Sequence, residues 1–174
     1  RLSIAQQFTG AVLNRLFHKA FETGKKVRTQ TGINKGITSV GMAAVELIAK
    51  KHKNFTDASV LLVGAGDTGN LIIQCLAAKQ VQHIFITNRT QKKAQALAKQ
   101  YHATVLAYAD FKKELSSFDI VITATSATTP VIMPEDIKKI KRKQLYFDVS
   151  VPRNIQVDVS ENRVLYTLDD LNAI

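Results

Sequence analysis

The chain has 174 residues, 45% of them hydrophobic and 22% charged, with a formal net charge of +10. That is room for one ordinary domain with an appendage, and the balance of a packed core, which excludes disordered, collagenous and low-complexity chains. No apolar stretch reaches the ~20 residues of a membrane-spanning helix, and the single cysteine, Cys75, excludes an internal disulfide framework and a multi-cysteine metal site. A reducing, cytoplasmic setting suits this cysteine usage. The chain starts at Arg1 with no signal-peptide layout and reads as a piece of a longer protein.

Residues 3 to 23 read as a helix. Leu13, Leu16, Phe17, Ala20 and Phe21 recur on one face, and Gly24 suits the stop. A polar loop, KKVRTQTGINKG, follows. Thr38 or Ser39 then caps a second helix, roughly 39 to 52, whose apolar side carries Ala43, Ala44, Leu47 and Ile48. Residues 1–56 hold ten Lys/Arg against Glu22 and Glu46, a net +8, while the remainder is nearly balanced. On charge alone this is first a solvated helical surface, although a basic stretch also attracts polyanions such as RNA.

The pattern changes at Ala58. SVLLVG is a short, unbroken apolar run rich in β-branched residues, as in a strand buried on both faces. GAGDTG opens a helix to about Lys79. HIFITN is a second strand, QKKAQALAKQY a helix, ATVLAY a third strand and DIVITAT a fourth. Pro134, Glu135 and Asp136 make a helical first turn. The run Lys138, Lys139, Lys141, Arg142, Lys143 is the wet face and end of that helix. QLYFDV and RVLYTL supply strands five and six. Strands alternating with helices predict a parallel sheet. The domain division is therefore 1–56, helical, and 57–174, α/β.

Gly64, Gly66 and Gly69 form GxGxxG between a predicted strand and a predicted helix. The first glycine permits the tight turn, the second lets a pyrophosphate approach, and the third lets the helix pack close to the strand. The N–H groups of Asp67, Thr68 and Gly69 would face the phosphates at a positive helix end, with Ala65 inside the turn. That context makes the motif a dinucleotide fingerprint and the fold Rossmann-type, doubly wound, with a mostly parallel six-stranded sheet and an N-terminal helical extension. Sites for NAD carry Asp or Glu at the end of the second strand. Here Asn88, Arg89 and Thr90 stand there, with Lys92 and Lys93 following. Arg89 can fork onto a 2′-phosphate, and Asn88 and Thr90 can donate to it, which points to NADP(H). Thr125, Ser126 and Ala127, at the carboxyl end of the fourth strand, either line the nicotinamide or form a polar loop.

No catalytic constellation is visible. His18, His52, His83 and His102 are scattered and unpaired by spacing. Cys75, mid-helix on the sheet-packing side, reads as a core thiol rather than a nucleophile. Asp148, at the end of the fifth strand, reads first as an acid capping nearby N–H groups and only second as a catalytic acid.

Taken together, LNRLFHKAF with KKVRTQTGINKGITSV, then AAVELIAKK, VLLVGAGDTGN, IFITNRT, DIVITATSATTPVI, FDVSVPRNI and LYTLDDL resemble the glutamyl-tRNA reductase family, in that family's order. Departures are Gly41 for a common serine, Asn154 for a usual aspartate, and Asp67-Thr68 in the variable pair of the turn. The resemblance implies reduction of glutamyl-tRNA to glutamate-1-semialdehyde with NADPH, at the entry to tetrapyrrole (porphyrin) synthesis. It also implies a catalytic cysteine and histidine ahead of Arg1, and homodimerising helices after Ile174. The cofactor site would be Gly64 to Gly69, Asn88 to Thr90, Lys93, Thr125 and Ser126, with no catalytic residue in the chain. Rival readings are a shikimate/quinate-dehydrogenase-like oxidoreductase, which shares the glycine turn and NRT, and a dinucleotide-binding module without chemistry.

Overall fold

In the computed structural model, residues 10–30, 40–137 and 142–171 are described. They fall into two compact units, Arg1–Thr38 and Ser39–Ile174. In the first, α1 (Ala11–Gln30) is the described element. It continues through the expected stop at Gly24 and takes up the first six residues of the expected loop. A glycine inside a helix costs about 1 kcal/mol relative to alanine, too little to end this one. The expected start at residue 3, the rest of the loop and the cap at Thr38 or Ser39 lie outside the described residues.

The second unit begins with α2 (Val40–Lys51), ahead of the division expected after residue 56. Six of its twelve residues are buried, so it belongs to the sheet's core rather than to a separate helical segment. There follow β1 (Ser59–Val63), α3 (Asp67–Ala78), β2 (His83–Thr87), α4 (Gln91–Tyr101) and β3 (Thr104–Val105). A 3-10 helix, Phe111–Ser117, leads into β4 (Ile120–Thr123). After the 3-10 turn Pro134–Asp136 come β5 (Gln144–Asp148), β6 (Arg163–Thr167) and the single-turn α5 (Leu168–Leu171). The helix expected after Pro134 is a 3-10 turn as far as it is described, and residues 138–141 of the basic run lie outside the described residues.

All six strands pair in parallel, in the order β3-β2-β1-β4-β5-β6. This is the Rossmann order, with its reversal between β1 and β4. Successive side chains alternate between two cores. Val60, Leu62, Ile84, Ile86, Ile120, Ile122, Leu145 and Phe147 pack with α2, α3, α4 and α5. Leu61, Val63, Val121 and Tyr146 face the other way, onto Phe111, Leu115, Phe118, Ile132 and Ile155. Two-sided burial is why the strands read as unbroken apolar runs. Tyr146 is fully buried, and its hydroxyl donates to Gln144 Oε1 (2.7 Å). Burial, only partly offset by Arg163, pushes its phenol up to about 12.

The third strand is shorter than expected. ATVLAY keeps only Thr104 and Val105 in the ladder. The N–H of Leu106 still donates to Ile86 (2.9 Å), but β2 ends one residue later, at Thr87. The chain turns at Ala107–Asp110 into the 3-10 helix.

At the sheet's amino end, Ser59 ties β1 to β4. Its N–H and hydroxyl both donate to Asp119 Oδ2 (2.9 and 2.7 Å), while Arg142 reaches Oδ1 (2.7 Å). Partial burial acts to raise the Asp119 pKa, but the two bonds from Ser59, then Arg142 and His52, outweigh it and hold the carboxyl below its usual range. A depressed carboxyl stabilises the fold above its unfolded pKa and loses that contribution as pH falls through the folded value. Asp119→Asn is expected to cost about 1–2 kcal/mol at neutral pH, allowing for the site's partial exposure. Urea unfolding across a pH series should show variant and parent converging in acid. A constant gap would refute the assignment.

Candidate dinucleotide-binding site

The carboxyl ends of β1, β2, β4 and β5 open into a cleft of ≈ 690 Å³. Ligands bind in such sheets at this end, beside the reversal in strand order. The glycine turn forms its floor. Gly64 has φ +117°, and a Cβ there would collide with the carbonyl of Ala124. At Gly69 a Cβ would run into the Gly64 carbonyl. Those two glycines bring strand, turn and helix into backbone contact. Gly66 differs: a Cβ there would meet nothing within 4 Å, so the space before it is open to a ligand.

The first intrahelical donor of α3 is the N–H of Asn70, to Gly66 (2.9 Å). The N–H groups of Asp67, Thr68 and Gly69 precede it, at the positive end of a twelve-residue helix. The turn is held from β2 by the Gly64 N–H donating to Thr87 (2.9 Å) and the Ala65 N–H to Asn88 Oδ1 (3.2 Å). Asn88 Nδ2 donates to the Thr90 carbonyl (3.0 Å). The Asn88 amide thus positions the turn and its own loop, a role not expected from sequence, and its Nδ2 has a second hydrogen to donate.

Arg89 is exposed at the cleft wall, with Thr90 as N-cap of α4 and Lys93 one turn in. Among the described residues no acid pairs with Arg89, Lys92 or Lys93. An unpaired cationic edge without a carboxylate suits an anionic group on a ribose.

The opposite wall is built from the loops after β4 and β5. Asp148 is 1% exposed. Its Oδ1 accepts from the Thr123 hydroxyl (2.8 Å) and the Ser150 N–H (3.0 Å), and its Oδ2 from the N–H groups of Asn154 (2.6 Å) and Ile155 (2.8 Å). Four donors saturate it, so Asp148 braces the loop and is not a catalytic acid. Asn154 is fully buried and bridges to the other loop, its Nδ2 donating to Ala127 (3.0 Å) and Pro152 (3.2 Å). The amide thus supplies donors that an aspartate would lack. The Thr125 hydroxyl donates to Asn154 Oδ1.

Eleven of the twelve residues expected at the site line this cleft, and the twelfth, Gly69, sits beneath it at the helix start. Ala127, expected there beside Thr125 and Ser126, lines it too, whereas sequence reasoning missed Val63, Tyr108, Ala124, Thr128, Val149 and Val151. Tyr108 carried no signal because it was counted in a strand, where alternation does not predict a turn. Cys75 is half-buried against the helical core. Burial first, then Glu46, raises its thiol pKa against the opposing effect of Lys79, which favours the inert thiol. Among the described residues no group of His, Cys, Asp and Glu is placed to hold a metal.

The open space before Gly66, the helix end and the unpaired cations together fit a nicotinamide dinucleotide. The family model described as Shikimate / quinate 5-dehydrogenase matches residues 46–174. A glutamyl-tRNA reductase of Desulfatibacillum aliphaticivorans is 38% identical over the whole chain, which spans 42% of that protein. Among solved structures, a glutamyl-tRNA reductase from Methanopyrus kandleri superposes with a TM-score of 0.71 at 30% identity, over 95% of this chain and 44% of that one. The nucleotide-binding domain of a Thermoplasma volcanium glutamyl-tRNA reductase shares the fold (TM-score 0.61, 22% identity, 78% of this chain and 89% of that one). The chain therefore spans about two fifths of the length of the curated relatives it matches.

The three glycines should separate experimentally. Gly64→Ala and Gly69→Ala are expected to lose about 2–3 kcal/mol of stability through backbone collision and strain. Gly66→Ala should unfold like the parent yet lose nucleotide binding. Thermal unfolding and a dinucleotide titration on all three variants check this. A Gly66→Ala variant that binds normally would contradict the open-space reading.

Proposed function

The chain belongs to the shikimate/quinate 5-dehydrogenase family, and on that footing we propose that it is the NADPH-binding part of a glutamyl-tRNA reductase. The observation that carries this is the reach of the similarity. The family match begins at residue 46, whereas the likeness to glutamyl-tRNA reductases runs through the basic helical residues ahead of it and covers the whole chain. A shikimate/quinate dehydrogenase is less supported, because those first residues are then unaccounted for.

In this reading the chain binds and orients the cofactor. The amides of Asp67, Thr68 and Gly69 receive the pyrophosphate, and Arg89 and Lys93 receive the 2′-phosphate, with Thr90 beside them. Thr125, Ser126 and the Val149–Val151 loop wall the nicotinamide end. NADPH supplies the reducing equivalent. The substrate is glutamyl-tRNA, the product glutamate-1-semialdehyde, and the pathway tetrapyrrole synthesis. The catalytic cysteine and histidine belong to a part of the reductase other than these residues, joined through the basic stretch ahead of Ser39, whose positive charge suits a tRNA. We further propose that the complete enzyme is a cytoplasmic homodimer.

Calorimetric titration of the chain with NADPH and with NADH tests the cofactor assignment. NADPH should bind at least tenfold tighter, and Arg89→Ala should remove that preference, since charge-assisted bonds to a phosphate contribute about 1.5–3 kcal/mol. Preference for NADH would overturn both the role of Arg89 and the reductase reading. The chain alone should turn over no glutamyl-tRNA.

A further inference from the structure

Polar groups are divided unevenly along the cleft, and we infer that the chain grips its dinucleotide by the adenosine half, with Tyr108 as the platform for the purine ring. The inference rests on the dinucleotide reading above and deepens it.

Past Arg89 the cleft runs into a side recess of ≈ 250 Å³ between α4 and the segment after β3. Small apolar residues line it, among them Ala94, Val105 and Ala107, and Arg89 and Tyr108 belong to both spaces. Tyr108 is 38% exposed, which leaves part of its ring open. On the other side the ring leans on Phe111, with centroids 5.3 Å apart, and Phe111 is buried in the second core. A phenol fixed in this way loses little freedom on binding a ligand. An apolar recess with an aromatic ring and an unpaired guanidinium at its mouth suits a flat heteroaromatic base, through stacking and cation–π attraction. Arg89 and Lys93 add charge for a phosphate on the adjoining ribose.

The nicotinamide end offers less. There the Thr125 N–H donates to Ser150 Oγ (3.1 Å) and the Thr125 hydroxyl to Asn154, while the Ala127 N–H donates to Thr125 Oγ1 (3.0 Å). The Ala127 carbonyl in turn accepts from Asn154. A group already bonded within the protein contributes little to a ligand unless that bond breaks. What the wall presents is apolar, notably Val149 and Val151, with the exposed hydroxyls of Ser126 and Thr128. Recognition is therefore weighted to one end of the ligand.

The test is a set of titrations with NADPH, 2′,5′-ADP and reduced nicotinamide mononucleotide. On this inference 2′,5′-ADP binds within about tenfold of NADPH, and the mononucleotide binds at least about 100-fold more weakly. Tyr108→Ala should weaken NADPH and 2′,5′-ADP by the same factor, about tenfold, as expected for loss of a base-stacking ring. Tyr108→Phe, which keeps the ring and its contact with Phe111, should bind both as the parent does. Thermal unfolding of each variant shows that the fold is kept. If 2′,5′-ADP binds more than about tenfold weaker than NADPH, or if a folded Tyr108→Ala binds both normally, the inference is overturned while the cofactor reading stands. If the parent binds neither NADPH nor 2′,5′-ADP, the cofactor reading itself falls, and this inference with it.

Discussion

At the end of β1 there is no room for a single methyl group. The Gly64 carbonyl lies against Gly69, and the Gly64 α-carbon lies against the Ala124 carbonyl. The strand, its following helix and the loop after β4, some sixty residues further along the chain, are thus in backbone contact at one point. Everything useful in the cleft is arranged around that contact. It sets where α3 begins, and so where its first three amides point. It also fixes how closely the β4 loop approaches the turn. Gly66, between the crowded pair, is the residue whose missing side chain leaves space outside the protein rather than within it. The same motif thus carries two kinds of constraint, one internal and one kept for a ligand.

The two walls above that floor are made differently. On the β2 side Asn88 holds the turn, and the cations beyond it pair with no acid among the described residues. On the β5 side a buried carboxylate collects four donors, and a buried amide stitches one loop to the next. The first wall keeps its charge for an outside partner, while the second spends its hydrogen bonds on its own shape. The binding role proposed for the first and the shaping role of the second are in keeping with this division.

The strands of the central sheet were legible because burial on both faces leaves unbroken apolar runs such as SVLLVG, and five of the six end within a residue or two of expectation. The glycine turn was legible because each glycine answers a steric demand. Failures fall where a neighbouring element decides. Gly24 has helical sequence on both sides, and its local preference is too weak to end α1. ATVLAY has good strand composition, but its partner β2 ends at Thr87, and the chain turns into the 3-10 helix. Asp148 illustrates a third case. Its residue type and strand-end position allow either catalysis or capping, and only the three-dimensional count of donors decides between them.

The two faces of the sheet are covered unequally. Among the described residues four α-helices cover one, while the other is covered by a short 3-10 helix and irregular chain around Phe111, Ile132 and Ile155. Helical hydrogen bonds form a cooperative layer, whereas irregular chain opens piecemeal at lower free energy. Tyr108 and the 148–155 loop both lie in or beside that looser layer. Its amides should be the first to exchange with solvent in native conditions, while those of the helical layer wait for broader unfolding. A nucleotide seated between the two walls would then act as a clamp on the less durable half of the molecule, and occupancy of the cleft would be felt as slower breathing of the whole face beneath it.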